Sequence, residues 1–310
     1  MDAAIVILDH LDNIREISRW DLWKRPEPVP APDLPFVLEE SSTKGMQMVA
    51  RRSIQQGELI ALERPLVVSR TDIAIAEDQS TTGVFYRAAL SGLSAEKRRT
   101  FLSLCNSFGS EEERLVGILN TNCCTIPLAP SPSGIPTAYS GLFPTLCRAN
   151  HDCAPNANFF FNPQSFTGQF HAVRPIAKGE EITVLYSELA ASRQERRAEL
   201  LQHYKFVCEC KTCSLPPALA ELSDTRRRAI GDLIPLMHQG TYADDMTIAH
   251  LDELLDWATI EGLYALYAEL LVYGYGLAIK LDLHVQAQKW SRMAAAAFKI
   301  LDGADSPRLN

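Results

Sequence analysis

The chain has 310 residues, of which 46% are hydrophobic and 22% charged, and its formal net charge is −8. This composition is typical of a globular protein with a sizeable core, and the length allows more than one domain. The acidic balance disfavours sequence-independent nucleic-acid binding, which depends on neutralising phosphates, and it favours a basic protein partner.

The first 35 residues are predicted to form an N-terminal extension or linker. Their apolar run, Ala3 to Leu8, lacks a basic flank and a small-residue cleavage site, so we do not expect it to be a secretory signal. The stretch KRPEPVPAPDLP is rich in proline and therefore predicts extended backbone. We expect a protein that is nuclear, cytoplasmic or both, and not secreted.

Residues 36–190 are predicted to form a domain of short strands with a helical insertion at about 72–120. Strand patterns occur in GMQMVARRSI, ELIALERPLVVS, ANFFFNP, GQFHAVRPIA and EEITVLYS. In the insertion, apolar residues are spaced by three and four, as in a helix. PLAPSPSGIPTA, residues 127–138, is predicted to be a surface loop.

The remainder of the chain is predicted to be helical. Ser192 and Glu195 form a capping box that starts a helix in the segment 191–214. Residues 215–310 have helical periodicity, with breaks near Gly240, near Gly262 and at LDLH, and predict a small domain of four or five helices. The apolar window within it contains Glu269 and is interpreted as a core helix, so no membrane association is expected.

The eight cysteines predict metal binding rather than disulfides, because we expect a reducing compartment for a chain in which no export signal is recognised. Cys208, Cys210 and Cys213 form a C-x-C-x-x-C cluster that needs a fourth ligand to close a tetrahedral zinc site. Cys153 is the natural donor, although His151 or His203 would also satisfy the spacing. A closed site of four thiolates is structural, and it would pin the C-terminal segment to the loop at 150–156.

Four stretches, taken in order, resemble the SET domain, the protein lysine methyltransferase fold, over about residues 36–213. KGMQMVA (44–50) resembles the family's N-terminal glycine motif, NHDCAPNA (150–157) its N-H-x-C-x-P-N signature, and GEEITVLY (179–186) its G-E-E-[IL]-x-x-x-Y segment. CECKTC resembles the post-SET zinc cluster. The resemblance implies an α+β fold: a SET-domain β-fold of short strands with a helical insertion and a post-SET zinc cluster, followed by a small all-α C-terminal domain.

Within this family, the chain is most similar to the branch that usually carries a MYND zinc finger. NTNCCTI (120–126) and the helix before CECKTC carry that similarity. Cys105 is the only cysteine between residues 70 and 120, which is too few for the MYND zinc finger at that position. The partner-binding role of that finger is therefore not expected here.

The resemblance implies a protein lysine N-methyltransferase that uses S-adenosylmethionine and acts on a histone or another protein. Tyr186 matches the catalytic tyrosine, and its alternative role is packing in a core. The residues that match cofactor contacts are Lys44, Gly45, Met46, Asn122, Asn150, His151, Tyr204 and Phe206. As alternatives, Asn150 and His151 would satisfy buried loop groups, Asn122 would cap a helix, and the two aromatics would dock the post-SET helix.

Other polar and thiol residues are predicted to have structural roles. Cys123 and Cys124 are interpreted as small core residues, and His171 as a surface position of a strand. The basic runs RRA and TRRRA, which start at residues 196 and 225, are interpreted as solvated helix faces.

The alternative function is a non-catalytic SET scaffold that binds a protein. It is motivated by the absent finger and by Gln47, which stands where the family often has a second glycine. A metallohydrolase is disfavoured because four thiolates leave no open position for water. The expected partners are a lysine-containing protein or peptide and a protein bound to the C-terminal helical domain, without direct nucleic-acid or membrane binding.

Overall fold

The fold is known from a computed structural model that describes residues 5–8, 33–70, 86–88, 90–109, 114–127, 138–187, 190–243 and 246–309. The predicted loop at 127–138 and the proline-rich stretch lie largely outside the described residues. The strands are β1 (Val6–Leu8), β2 (Phe36–Ser41), β3 (Gly45–Ala50), β4 (Leu59–Glu63), β5 (Val67–Arg70), β6 (Cys123–Pro127), β7 (Ala138–Leu142), β8 (Asn150–His151), β9 (Ala157–Asn162), β10 (Thr167–Ala172) and β11 (Glu181–Val184).

The strands form three small sheets, with the orders β1-β5-β7-β6, β4-β10-β9 and β2-β3-β11-β8. Strands β1 and β5 pair in parallel, and so do β8 and β11. Alternation of apolar and polar residues along these strands buries side chains such as Met48, Phe170 and Ile182 in a core that the sheets share.

The helices are α1 (Ala95–Leu102), α2 (Arg114–Asn122), α3 (Arg193–Tyr204), α4 (Pro217–Gly231), α5 (Ile234–Gln239), α6 (Ile248–Ile260), α7 (Tyr264–Lys280) and α8 (His284–Asp302). The capping box that starts α3 is present: Ser192 accepts from the backbone of Glu195, and Glu195 accepts from the backbone of Ser192. The predicted breaks at Gly240, Gly262 and LDLH separate α5, α6, α7 and α8.

The C-terminal helices share a core centred on Trp290, Leu270 and Leu251. This core includes Val173, which follows β10, so the helices pack directly against the sheet that contains β10. Asn158 Nδ2 on β9 donates to the carbonyl of Leu301 in α8 at 3.0 Å, which fixes that contact. The window that contains Glu269 is the buried helix α7, as predicted.

The apolar run near the N-terminus contributes a strand. Val6, Ile7 and Leu8 pair in parallel with Val67, Val68 and Ser69 of β5. Part of the segment predicted to be an extension is thus joined to the first sheet. Among the helices of the described residues, none combines the length and apolar composition that crossing a bilayer requires.

Candidate functional site

One cavity of about 510 Å³ lies between the start of β3, the end of α2, the segment before and through β8, and the chain that follows α3. Its size is within the usual range for a small-molecule site. Its lining residues are Thr43, Lys44, Gly45, Met46, Cys105, Ser107, Thr121, Asn122, Cys147, Arg148, Asn150, His151, Asp152, Tyr186, Tyr204, Phe206, Val207, Cys208, Glu209 and Cys210. Every residue predicted to bind the cofactor therefore lines this cavity, and so does the predicted catalytic tyrosine.

The Asn-His pair reaches the cavity through the short parallel pairing of β8 with β11, in which Thr183 lies opposite Asn150. Asn156 locks the loop that follows β8 against β11. Its Nδ2 donates to the carbonyl of Glu181 at 2.8 Å, and its Oδ1 accepts from the backbone of Thr183 at 2.8 Å. Because Asn156 is only 1% exposed, these bonds hold the loop without competition from water.

A buried carboxylate fixes the backbone just before β8. Glu63 Oε1 on β4 accepts from the backbone N–H groups of Thr145 at 2.7 Å and Leu146 at 2.8 Å. These groups belong to the first turn of the 3-10 helix Leu146–Arg148, where an acceptor is needed. Burial raises the pKa of Glu63 above its ordinary value. The turn that leads to Ala149 and Asn150 is therefore anchored to the neighbouring sheet.

Asn150 presents a hydrogen-bond acceptor to the cavity. Its Nδ2 donates to Glu181 Oε1 at 2.9 Å and to the carbonyl of Met46 at 3.3 Å, which uses both amide hydrogens. The carboxylate of Glu181 also forms an ion pair with Lys44 Nζ at 2.7 Å. Glu181 thus orients both polar residues, and the Oδ1 of Asn150 remains for a ligand that donates.

Gly45 stands in a conformation that favours glycine, with φ of +71°, at the β2–β3 turn. A Cβ atom at this position would meet nothing within 4 Å, so the backbone conformation rather than crowding requires the glycine. The neighbouring departure from the family pattern, Gln47, donates to Glu39 Oε1 on β2 at 3.0 Å. Gln47 is not part of the cavity lining.

Asn122 has the helix-capping bonds considered for it and also lines the cavity. It is the last residue of α2, and its Nδ2 donates to the carbonyls of Ile118 and Cys105, both at 2.7 Å. The first bond caps the helix's own C-terminal turn, and the second ties the helix to the preceding segment. The residue is 7% exposed and still lines the cavity.

Tyr186 lies in an aromatic cluster at the cavity. Its ring centroid is 4.8 Å from that of Tyr204 and 5.6 Å from that of His151, and the Phe206 centroid is 6.3 Å from that of His151. The Tyr186 hydroxyl donates to the carbonyl of Ala149 at 2.6 Å. Burial raises the pKa of Tyr186 well above its ordinary value, and it raises the pKa of Tyr204 to about 12. Both phenols therefore remain protonated at neutral pH.

His151 links this tyrosine to the cysteine cluster. The backbone N–H of Tyr186 donates to His151 Nδ1 at 3.0 Å, so the ring proton is on Nε2, which lies 3.2 Å from Cys153 Sγ. Burial is the main reason that the pKa of His151 is lowered to about 4, so the ring is neutral at pH 7. His151 thus forms contacts through both ring nitrogens: Nδ1 accepts from the backbone of Tyr186, and Nε2 faces the sulfur of Cys153.

The cysteine cluster consists of Cys153, Cys208, Cys210 and Cys213, whose sulfur atoms all lie within 4.8 Å of one another. The Cys153 sulfur is 3.9 Å from that of Cys208 and 3.6 Å from that of Cys213. Sulfurs that bind one tetrahedral zinc at about 2.3 Å lie about 3.8 Å apart, so the donor set and the spacing fit zinc. Cys153 completes the set, rather than His151 or the exposed His203.

The interpretation of the basic runs as solvated faces is wrong for one arginine in each run. Arg196 and Arg227 are both 0% exposed. Each lies on the buried face of its helix, because Arg196 precedes the buried Leu200 by one helical turn and Arg227 precedes Ile230 in the same way. Burial is possible because each guanidinium finds partners: sulfur atoms for Arg196 and the carboxylate of Glu261 for Arg227.

The prediction that His171 is a surface position is also wrong. The residue is 4% exposed, because α8 covers this part of β10 and brings Asp302 and Gly303 against the imidazole. Cys123 and Cys124 are half-buried in β6 and pack against the cores on either side, broadly as predicted. None of the eight cysteines, all of which are among the described residues, forms a disulfide.

Comparison with known families supports the resemblance seen in the sequence. Residues 45–187 match the family model of the SET domain. This part of the chain is therefore similar to the SET domain, and the short strands, the cysteine cluster and the C-terminal helices agree with the predicted fold class.

The similar proteins include named methyltransferases. Histone-lysine N-methyltransferase set5 of Schizosaccharomyces pombe is 32% identical over 188 residues, which cover 60% of this chain and 53% of that protein. A SET and MYND domain-containing protein of Dictyostelium discoideum is 35% identical over 104 residues, covering 32% and 30%. Mouse histone-lysine N-methyltransferase SMYD3 is 38% identical over 73 residues, covering 24% and 17%. The chain thus spans about half the length, or less, of these relatives.

A solved structure is also similar at a low level. The Neurospora SET domain protein DIM-5, a histone lysine methyltransferase, shares 20% identity at a TM-score of 0.27, over 50% of this chain and 53% of that one. No conclusion about this chain depends on that comparison.

Proposed function

We propose that this protein is an S-adenosylmethionine-dependent protein lysine N-methyltransferase that acts on a histone or another protein in the nucleus, the cytoplasm or both. The observation that carries the proposal is that Lys44, Asn150, His151 and Tyr186 line the same cavity, which borders the cysteine cluster. The names of the relatives that share the SET domain support the same reaction.

The cavity has the polar groups that an amino-acid moiety requires. When bound, S-adenosylmethionine supplies an electrophilic methyl group. Asn150 Oδ1 would accept from the α-ammonium group, because both Nδ2 hydrogens of this residue are already bonded. Lys44 would pair with the α-carboxylate, since its side chain is 52% exposed and is held near the cavity only by Glu181. Asn122 and Phe206 would contact the rest of the cofactor.

Tyr186 would orient the substrate amine. Its hydroxyl hydrogen is committed to the carbonyl of Ala149, so the oxygen lone pairs can accept an N–H from a lysine. The raised pKa of Tyr186 keeps the group a phenol, which favours a role as an orienting acceptor over one as a phenolate base. Tyr204 and His151 exclude water from the amine on two sides, which favours its neutral form.

Zinc would be held by Cys153, Cys208, Cys210 and Cys213 in a structural role. These residues join the loop after β8 to the segment after α3, and that segment supplies Tyr204 and Phe206 to the cavity. A filled four-thiolate site leaves no position for a reacting water, so it contributes shape rather than chemistry.

The decisive experiment is calorimetric titration of S-adenosylmethionine into full-length protein of verified zinc content. We expect saturable binding that is lost in Asn150→Ala and retained in Asn158→Ala, a matched variant whose side chain contacts Leu301 outside the cavity. Methyl transfer to core histones, followed by mass spectrometry, then tests the reaction. A zinc-loaded, folded protein that binds no cofactor would contradict the proposal and favour a non-catalytic SET scaffold.

A further inference from the structure

Arg196 has an environment that is unusual for a cation. It is 0% exposed, and its Nε lies 3.2 Å from Cys153 Sγ while its Nη2 lies 3.8 Å from Cys213 Sγ. Its Nη1 donates to the carbonyl of Ala191. The guanidinium thus faces two sulfurs of the cysteine cluster, one from the loop after β8 and one from the segment after α3.

Among the described residues, the carboxylate paired with this guanidinium lies at the long end of the ion-pair range. The side chain of Asp224 contributes one contact, 3.9 Å from Arg196 Nη1. Glu261 is already engaged by a second buried cation, because Arg227 Nε lies 3.1 Å from its Oε2 and Arg226 Nη1 lies 3.4 Å from its Oε1. A buried cation is costly unless an opposite charge lies beside it, and the sulfurs of Cys153 and Cys213 approach the guanidinium more closely than Asp224 does. As thiolates they would supply that opposite charge.

A zinc ion bound by four thiolates carries two excess negative charges, and these are also costly in a buried site. The positive charge of the buried guanidinium and the excess negative charge of the zinc site are opposite in sign and adjacent in the fold, so each would offset the other. We propose that Arg196 is the internal counter-charge of the four-cysteine zinc site and stabilises the metal-bound thiolates of Cys153 and Cys213. This inference rests on the zinc assignment of the proposed function and is independent of methyl transfer.

The next residue, Arg197, also contacts the cysteine segment, but through backbone carbonyls instead of sulfur atoms. Arg197 Nε donates to the carbonyl of Cys208 at 3.0 Å, and its Nη2 donates to the carbonyl of Cys213 at 3.1 Å. Arg197 therefore fixes the backbone of the ligand loop, whereas Arg196 points at the sulfurs. The control is Arg228, an arginine whose side chain is exposed on α4.

The test is the affinity of the full-length protein for zinc, measured by competition with a chelator. Arg196→Met keeps the apolar stem and removes the charge, and we expect it to weaken zinc binding by about 10-fold or more. Arg196→Lys keeps a cation and should recover most of that loss, while Arg228→Gln should equal wild type. The cobalt-substituted proteins report the same thiolates through their sulfur-to-metal charge-transfer absorption, which should change in Arg196→Met and not in Arg228→Gln.

Unchanged zinc affinity in folded Arg196→Met would overturn the inference, and so would Arg196→Lys binding as weakly as Arg196→Met. If Arg196→Met does not fold, Arg196→Lys decides: zinc held within a few-fold of wild type supports the counter-charge. Failure of Arg196→Lys to hold zinc or to fold would overturn it, because the charge is retained in that variant. Wild-type protein without zinc would overturn the zinc assignment itself, a different result from tight zinc that is insensitive to Arg196.

Discussion

At the scale of single residues, the side chain of Tyr186 lines the cavity, and its hydroxyl donates to the carbonyl of Ala149, which leaves the oxygen lone pairs as acceptors. Tyr186→Phe should therefore reduce methyl transfer on the order of 100-fold by misorienting the amine. Cofactor affinity and zinc content should stay near wild type, because the ring remains stacked on Tyr204. Radiolabelled methyl transfer and calorimetry measure the two effects.

The matched control for this variant is Tyr275→Phe, which removes the same hydroxyl from a tyrosine that is 43% exposed on α7. It should leave the rate unchanged. Full activity in Tyr186→Phe would remove this residue from the reaction and leave it as a packing aromatic.

His171 makes a second residue-scale prediction, which concerns pH. Burial is the main reason that the pKa of this imidazole is lowered, and Asp302 only partly opposes it. The unfolded chain gains the proton first, at about pH 6.5, so stability is complete above that pH and falls as the pH decreases. Lowering the pH from about 7.5 to about 5.5 should therefore decrease the free energy of unfolding of His171→Gln by less than that of the wild type.

Denaturant unfolding at the two pH values measures this difference. His284→Gln is the control, because the side chain of His284 is 74% exposed, and this variant should lose as much stability as wild type. An identical loss in His171→Gln and wild type would show that protonation of His171 does not contribute to acid destabilisation.

At the scale of elements, a buried joint connects the C-terminal helices to the cysteine loop. Arg227 on α4 pairs with Glu261, which follows α6, and its Nη2 also donates to the carbonyl of Cys153 at 3.0 Å. Ser223 Oγ donates to the same carboxylate. One guanidinium thus holds α4, the end of α6 and the loop after β8 together.

Glu261→Gln leaves the guanidinium buried without its counter-charge, so we expect it to lower the free energy of unfolding by about 3 kcal/mol or more. The double variant Arg227→Met/Glu261→Met should recover much of that loss, because two apolar groups need no counter-charge. Equilibrium denaturation measures both. Asp282→Asn, at an ion pair whose side chains are 90% and 74% exposed, should have no measurable effect. A loss in Glu261→Gln as small as in this control would contradict the assigned joint.

At the scale of the whole molecule, the cysteine cluster closes a loop of chain that includes β9, β10, β11 and α3. Removing zinc with a strong chelator should lower Tm and weaken S-adenosylmethionine binding together, because Val207, Cys208 and Cys210 are both cavity wall and part of the cluster segment. Differential scanning calorimetry and titration calorimetry measure the two changes.

Cys210→Ser should reproduce the effect of the chelator, whereas Cys123→Ala, outside both the cluster and the cavity lining, should bind zinc and cofactor as wild type does. Chelated protein with unchanged Tm and unchanged cofactor affinity would mean that the cluster is not needed to shape the cavity.

By itself, the sequence determined the features that depend on neighbouring residues. The spacing of Cys208, Cys210 and Cys213, the capping box of α3, the strand patterns and the helix breaks at Gly240 and Gly262 were all confirmed. Each depends on contacts within a few residues, where backbone geometry leaves few alternatives. The ordered motifs similarly identified the SET domain before any three-dimensional contact was known.

Only the tertiary structure decided which distant groups meet. It selected Cys153, 55 residues before Cys208, over His151 and His203 as the candidate fourth ligand of the metal site. It also placed β1 beside β5. It also buried Arg196, whose charge marks it as a surface residue in the sequence. The physical reason is that burying a charge depends on a partner of opposite charge, and that partner is supplied by a part of the chain far away in sequence.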